Sequence, residues 1–81
     1  MNRDELQTAV LRALAKVAPE ADPGAIDAQR PLRDQLDLDS MDLLRFAIAV
    51  HTELGVDIPE ADYAKLDSLA ACTAYLAARL A

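Results

Sequence analysis

The chain has 81 residues and a formal net charge of −6, and its 53% hydrophobic content is almost all Ala, Leu, Val and Ile, with one Phe, two Tyr and no Trp. That length supplies one small core, so a single domain over residues 1–81 is expected, and the Ala- and Leu-rich, Gly-poor composition favours helices over strands. The acidic balance disfavours nucleic acid and anionic membrane, one Cys excludes an intrachain disulfide framework, and one His with one Cys offers no metal-ligand cluster.

The amino terminus, Met1-Asn2-Arg3-Asp4-Glu5, is acidic within its first turn and is no signal peptide. No apolar run approaches membrane-spanning length, so a soluble, monomeric, cytoplasmic protein without membrane insertion is expected. The spacing predicts a first helix capped by Asn2, with Glu5 as its capping-box partner. Leu6, Val10, Leu14 and Val17 form one apolar face, and Ala18-Pro19 ends the helix. From Pro19 to Asp39 the chain has no sustained period and carries Pro23-Gly24 and Pro31. Ile26, Leu32, Leu36 and Leu38 are spaced through this segment and would pin it across the open end of a bundle, with a short helical turn near Pro31–Asp34.

A second helix is expected from Ser40 to Leu54, stopped by Gly55. Asp39 suits its N-cap, and Asp42 stands at the capping-box position, although Glu is the stronger choice there. Leu38 and Leu43 have the spacing of a hydrophobic staple. The helix reads as unusually apolar, with Met41, Leu43, Leu44, Phe46, Ala47, Ile48, Val50 and Leu54 facing inward. Asp42, Arg45, Ala49, Thr52 and Glu53 make up a narrow solvent stripe beside Ser40, suited to docking another protein. An extended Val56–Pro59 connector leads to a short helix over Glu60–Lys65 that brings Tyr63 and Leu66 inward. Asp67 is expected to cap a last helix with Leu69, Cys72, Leu76 and Leu80 on one face. Cys72 reads as a buried small hydrophobe, Tyr75 as a core-edge aromatic and His51 as a structural or partner-facing group. The fold class that follows is all-α, a small bundle of three main helices and one short one with a long loop between the first two.

Ser40 is the focus. A Ser at a helix start is by itself ordinary capping chemistry, and a nucleophilic Ser needs a base within hydrogen-bond reach. The only His, His51, lies eleven residues further along the same helix, about 16 Å of axial rise. No dyad can form within that helix, and no Gly-rich oxyanion turn is present. Ser40 is a hydroxyl that is acted upon, at a helix end that tolerates an attached anion.

From Leu36 through Tyr75 these residues resemble the acyl carrier protein family. Asp39-Ser40-Met41-Asp42 is similar to the family's Asp-Ser-Leu-Asp signature with Met41 in place of Leu, and Glu53-Leu54-Gly55-Val56-Asp57-Ile58-Pro59 resembles the segment that joins its second and third helices. The resemblance implies a carrier and not an enzyme. Its 4′-phosphopantetheine would be attached to Ser40 by a phosphopantetheinyl transferase using coenzyme A, and the thiol of that arm would hold acyl groups as thioesters. Loading would come from acyl- or aminoacyl-transferring ligase, synthase or transferase enzymes. Asp39, Met41, Asp42, Arg45, Thr52 and Glu53 are the expected docking residues, and Leu43, Phe46, Ala47, Ile58 and Tyr63 the expected lining for a sheltered acyl chain.

Carriers of primary fatty-acid synthesis have a strongly acidic second helix, whereas here Arg45, His51 and Thr52 stand at positions that are commonly acidic. This departure points to a dedicated lipid, polyketide or other secondary-metabolite pathway whose enzymes recognise Arg45. A stand-alone peptidyl or aminoacyl carrier uses the same Ser40 chemistry, and a helical interaction module with Ser40 only as a cap is the reading from a different class.

Overall fold

The computed structural model describes residues 1–80, which form helices α1 (Arg3–Val17), α2 (Leu32–Leu36), α3 (Ser40–Leu54) and α4 (Leu69–Leu80), with 3-10 segments at Pro23–Ala25 and Glu60–Leu66. Among them no strand is present, and no helix is long and apolar enough to cross a membrane.

Helix α1 starts where its cap chemistry requires. The Asn2 side chain accepts the Glu5 N–H at 2.8 Å, and the Glu5 carboxylate accepts the Asn2 N–H at 3.0 Å. Leu6, Val10 and Leu14 are buried on one face, and Ala9 and Ala13 let neighbouring backbone approach closely. Helix α3 obeys the same logic at Asp39 and ends at Gly55, whose φ of +69° costs an L side chain conformational strain. Nothing lies within 4 Å of where a Cβ would stand on Gly55, so its requirement is backbone conformation and not space.

The core is shared by α1, α3 and α4, with α1 packed most extensively on α3. Phe46, Val10, Val50, Leu32, Cys72 and Leu76 are completely buried at its centre. Each large apolar side chain removed from water in this way contributes about 1.5–3 kcal/mol. Among the described residues no buried side-chain polar atom lacks a partner; the buried Thr73 hydroxyl donates to the Leu69 carbonyl at 2.8 Å.

The long connection is held from two sides. Leu32 and Leu38 are buried, and Ile26 and Leu36 pack against the core, as their spacing through the loop suggests. The Leu32 N–H also donates to the Asp67 carbonyl and the Ala70 N–H to the Ala28 carbonyl, at 2.8 and 2.9 Å, which ties the loop to the start of α4. A third brace is not readable from the sequence. The Gln35 amide accepts the Asp27 N–H at 2.8 Å and donates to the Asp27 and Arg30 carbonyls at 2.8 and 2.9 Å, closing the loop on itself.

Several sequence-based expectations need correction. Ser68, and not Asp67, caps α4: its hydroxyl accepts the Ala71 N–H at 3.1 Å, while Asp67 has helical backbone angles at the end of the preceding 3-10 segment. That segment is wound as a 3-10 helix and runs one residue past Lys65 to Leu66. Leu80 is 45% exposed, because α4 there extends past the core. Ala49 is buried, whereas Met41 and Ile48 are 56% and 57% exposed. The buried face of α3 therefore runs through Phe46, Ala47, Ala49 and Val50.

Replacing Gln35 with Ala removes three hydrogen bonds from the loop, and chemical denaturation should report a loss of about 1–2 kcal/mol, given a net contribution near 1 kcal/mol for a typical bond and partial compensation by water.

Candidate functional site

Helix α3 begins at Ser40 because Asp39 and Asp42 cap it reciprocally. The Asp39 carboxylate accepts the Asp42 N–H at 2.8 Å, and the Asp42 carboxylate accepts the Asp39 N–H at 3.2 Å. The Asp42 N–H is the chief reason the Asp39 carboxyl lies below the usual carboxylate range. Just before the cap, Asp37 has a left-handed φ of 55° at the end of α2, a conformation that Asp tolerates better than most residues. Leu38 then turns into the core and leaves Ser40 exposed as the first residue of α3. The Arg33 guanidinium reaches back to the Leu38 carbonyl at 3.4 Å and steadies this turn.

His51 does not approach Ser40. It is exposed near the far end of α3, with its Nδ1 3.8 Å from Asp57. Cys72 is buried in the core, where loss of hydration pushes its thiol up to about 12, so it supplies no thiolate. The site is therefore an exposed hydroxyl at a rigid helix start, without an activating base on the same helix.

The expected docking residues separate into two groups. Asp39, Met41, Arg45 and Thr52 are exposed, as Ser40 is. Asp42 and Glu53 are half-buried and engaged: Asp42 in the cap and 3.6 Å from Arg45, Glu53 in an ion pair with Lys16 of α1 at 3.2 Å. Glu53 thus turns toward α1, Asp42 stays with the cap and Arg45, and the outward face carries Met41, Ile48 and the cation of Arg45. Leu44 and Ile48, which the sequence reading placed inside, belong to this rim.

Beside Ser40 lies an open cleft of about 430 Å³ lined by Ser40, Leu43, Leu44, Glu60 and Tyr63. Ala47, Ile58 and Tyr63 line a neighbouring cleft of about 280 Å³ with Ile48 and the His51–Asp57 pair at its rim. Four of the five expected lining residues, Leu43, Ala47, Ile58 and Tyr63, therefore border surface clefts between α3 and the 3-10 helix. Phe46 borders neither and sits wholly in the core; truncating such a ring to Ala costs about 3–5 kcal/mol.

The outer wall of these clefts, the Glu60–Leu66 helix, is fastened to α4 through Asp62. That carboxylate accepts the Tyr75 hydroxyl at 2.7 Å and Arg79 at 2.9 Å, with Lys65 3.5 Å away, and the Arg79 guanidinium stacks 5.1 Å from the Tyr75 ring centre. Asp62 was not singled out by the sequence: its partners lie 13 and 17 residues ahead, and no local pattern pairs them.

Ser40 thus stands exposed at the capped start of α3, beside a cleft lined by Leu43, Leu44, Glu60 and Tyr63. A family model described as the phosphopantetheine attachment site matches residues 8–76. The meromycolate extension acyl carrier protein of Mycolicibacterium aurum is 27% identical over 73 residues, covering 86% of this chain and 75% of that protein. Its counterpart in Mycolicibacterium smegmatis is also 27% identical over 73 residues, with 74% of that protein covered. The chain belongs to the phosphopantetheine-attachment family and is an acyl carrier protein, a carrier and not an enzyme.

The Tyr75 hydroxyl is the main reason the Asp62 carboxyl is held below its usual range. A carboxyl depressed in the folded state stabilises the fold above its unfolded value, near 4, and that contribution is lost as pH falls through the folded value. In thermal melts Tyr75→Phe should be less stable than the native chain at pH 7, and the difference should narrow below pH 4.

Proposed function

We propose that Ser40 is the attachment point of 4′-phosphopantetheine, and that residues 1–81 act as one carrier domain presenting acyl thioesters to the enzymes of a dedicated lipid pathway. The observation that carries this reading is the exposed Ser40 hydroxyl, at the capped start of α3 within Asp39-Ser40-Met41-Asp42 and inside the segment that the family model matches. The residues suit the group. The hydroxyl is accessible, the cleft of Leu43, Leu44 and Tyr63 beside it is apolar on one side, and the helix start favours negative charge.

Transfer needs an external enzyme. A phosphopantetheinyl transferase would deprotonate Ser40, whose oxygen bonds to the phosphorus of the pantetheine half of coenzyme A as the nucleotide half leaves. The arm's terminal thiol then supplies the thioester linkage. The protein's own part is to hold Ser40 outward, to keep α3 rigid under it, and to bury the competing thiol of Cys72 so that the acyl group cannot migrate onto the chain.

An acyl cargo is favoured over an aminoacyl one because the relatives are named as meromycolate extension carriers. Partner enzymes would meet the outward face of α3, where Arg45 is exposed with Asp42 3.6 Å away and Glu53 is paired with Lys16 of α1. Their contact surface should carry a carboxylate for Arg45, in addition to apolar groups for Met41 and Ile48.

Intact mass after incubation with coenzyme A and a promiscuous phosphopantetheinyl transferase should rise by one phosphopantetheine, and Ser40→Ala should stay unchanged. The folded chain should also gain one thiol reactive toward a disulfide reagent on conversion, from a starting value near none, because Cys72 is shielded. An unmodified native chain would leave Ser40 as a helix cap. For docking, Arg45→Glu should weaken binding to the loading enzyme by roughly tenfold, a cost near 1.4 kcal/mol, and reversal of the contacting carboxylate on that enzyme should restore it. Unchanged binding of Arg45→Glu would remove Arg45 from the interface.

A further inference from the structure

We propose that Tyr63 is a specificity-determining residue, a partition that limits how far an acyl chain can run along the seam between α3 and the Glu60–Leu66 helix. The inference rests on Ser40 being the attachment point and concerns what lies beyond it.

Three clefts open along that side of the molecule, and Tyr63 borders each one. The first contains Ser40, Leu43 and Leu44. The second lies further along α3, at Ala47, Ile48 and Ile58. The third, about 440 Å³, runs the other way to Arg33, Ala64 and Asp67. Leu43 is shared by the first and third, but only Tyr63 stands in all three. Its ring therefore stands where the three spaces meet, between Ser40 on one side and Ala47 and Ile58 on the other.

The partition is held from behind. Tyr63 is flanked by Asp62, which is locked to Tyr75 and Arg79 of α4, and three residues later Leu66 is buried in the core. The 3-10 helix packs more extensively on α4 than on α3. The side that faces α3 is thus the loosely packed one, where the clefts lie, while the side facing α4 keeps the helix and Tyr63 in place. A polar hydroxyl on a half-buried ring at this junction also disfavours a long hydrocarbon continuing past it.

A short cargo fits the first cleft as the structure stands. A long one has to displace the Tyr63 ring or stay in solvent. Removing the ring should merge the first two clefts into one apolar groove from Ser40 to Ile58.

The test loads the native chain, Tyr63→Ala, Tyr63→Leu and Tyr63→Phe with butyryl, octanoyl or dodecanoyl pantetheine from the matching acyl-coenzyme A, using a promiscuous transferase and checking each product by intact mass. Backbone amide NMR shifts are then followed at Ala47 and Ile58. In the native chain and in Tyr63→Phe these shifts should not grow from butyryl to dodecanoyl. In Tyr63→Ala they should grow with each lengthening, and Tyr63→Leu, which keeps an apolar side chain in the wall, should respond in the same direction. Length-dependent shifts in the native chain, or none in Tyr63→Ala and Tyr63→Leu once loaded, would overturn the partition alone. Failure of every form to gain mass would overturn attachment at Ser40, and the partition with it.

Discussion

The reciprocal pair of hydrogen bonds between Asp39 and Asp42 sets the start of α3, and most of the molecule's functional geometry depends on that start. A cap of this kind is worth only about 1 kcal/mol, far less than the core. Its importance is one of register. Beginning the helix at Ser40 puts Phe46, Ala47, Ala49 and Val50 inward and Ser40, Met41, Arg45 and Ile48 outward. A one-residue slip of the chain along the helix would rotate every side chain by about 100°, and the cap opposes such a slip. Burial of Leu38 on one side and the φ of Gly55 at the other end hold the same register.

The frame around α3 is asymmetric. One flank is closed by α1, with small residues at the interface and the Lys16–Glu53 ion pair across it, an exposed contact worth at most about 1 kcal/mol. The other flank meets the 3-10 helix over open clefts. That helix is committed to α4 through the Asp62 cluster and Leu66, so the fold has one well-packed side and one side with room. The start of α3 beneath Ser40 is capped and followed by buried Phe46 and Ala47, while the clefts beside it stay open.

The distribution of charge follows from the same register of α3. The chain is strongly acidic overall, yet the two acids of α3 beyond the cap residue Asp39 face α1 or the cap and are paired. A net charge of −6 favours basic surfaces at long range, whereas the exposed face of α3 carries Met41, Ile48 and Arg45, the last 3.6 Å from Asp42.

Local chemistry made much of this legible in advance. Caps at Asn2 and Asp39, the stop at Gly55, the faces of α1 and α4 and the pinned loop all rest on interactions within four residues or on a periodic pattern, and residues close in sequence have no choice about meeting. Leu43 and Ala47, one turn apart on α3, both border clefts beside the 3-10 helix. What depended on tertiary structure was of another kind. The phase of α3 in the packed bundle exposed Ile48 and buried Ala49, because a helix that is apolar on most of its circumference has no preferred face until its neighbours supply one. Ser68 displaced Asp67 as the cap of α4 because the preceding 3-10 helix carries its helical backbone angles through Asp67. The Gln35 brace, the Asp62 cluster and the position of Tyr63 between three clefts join residues across separate elements, and such pairings become definite only when packing brings the elements together.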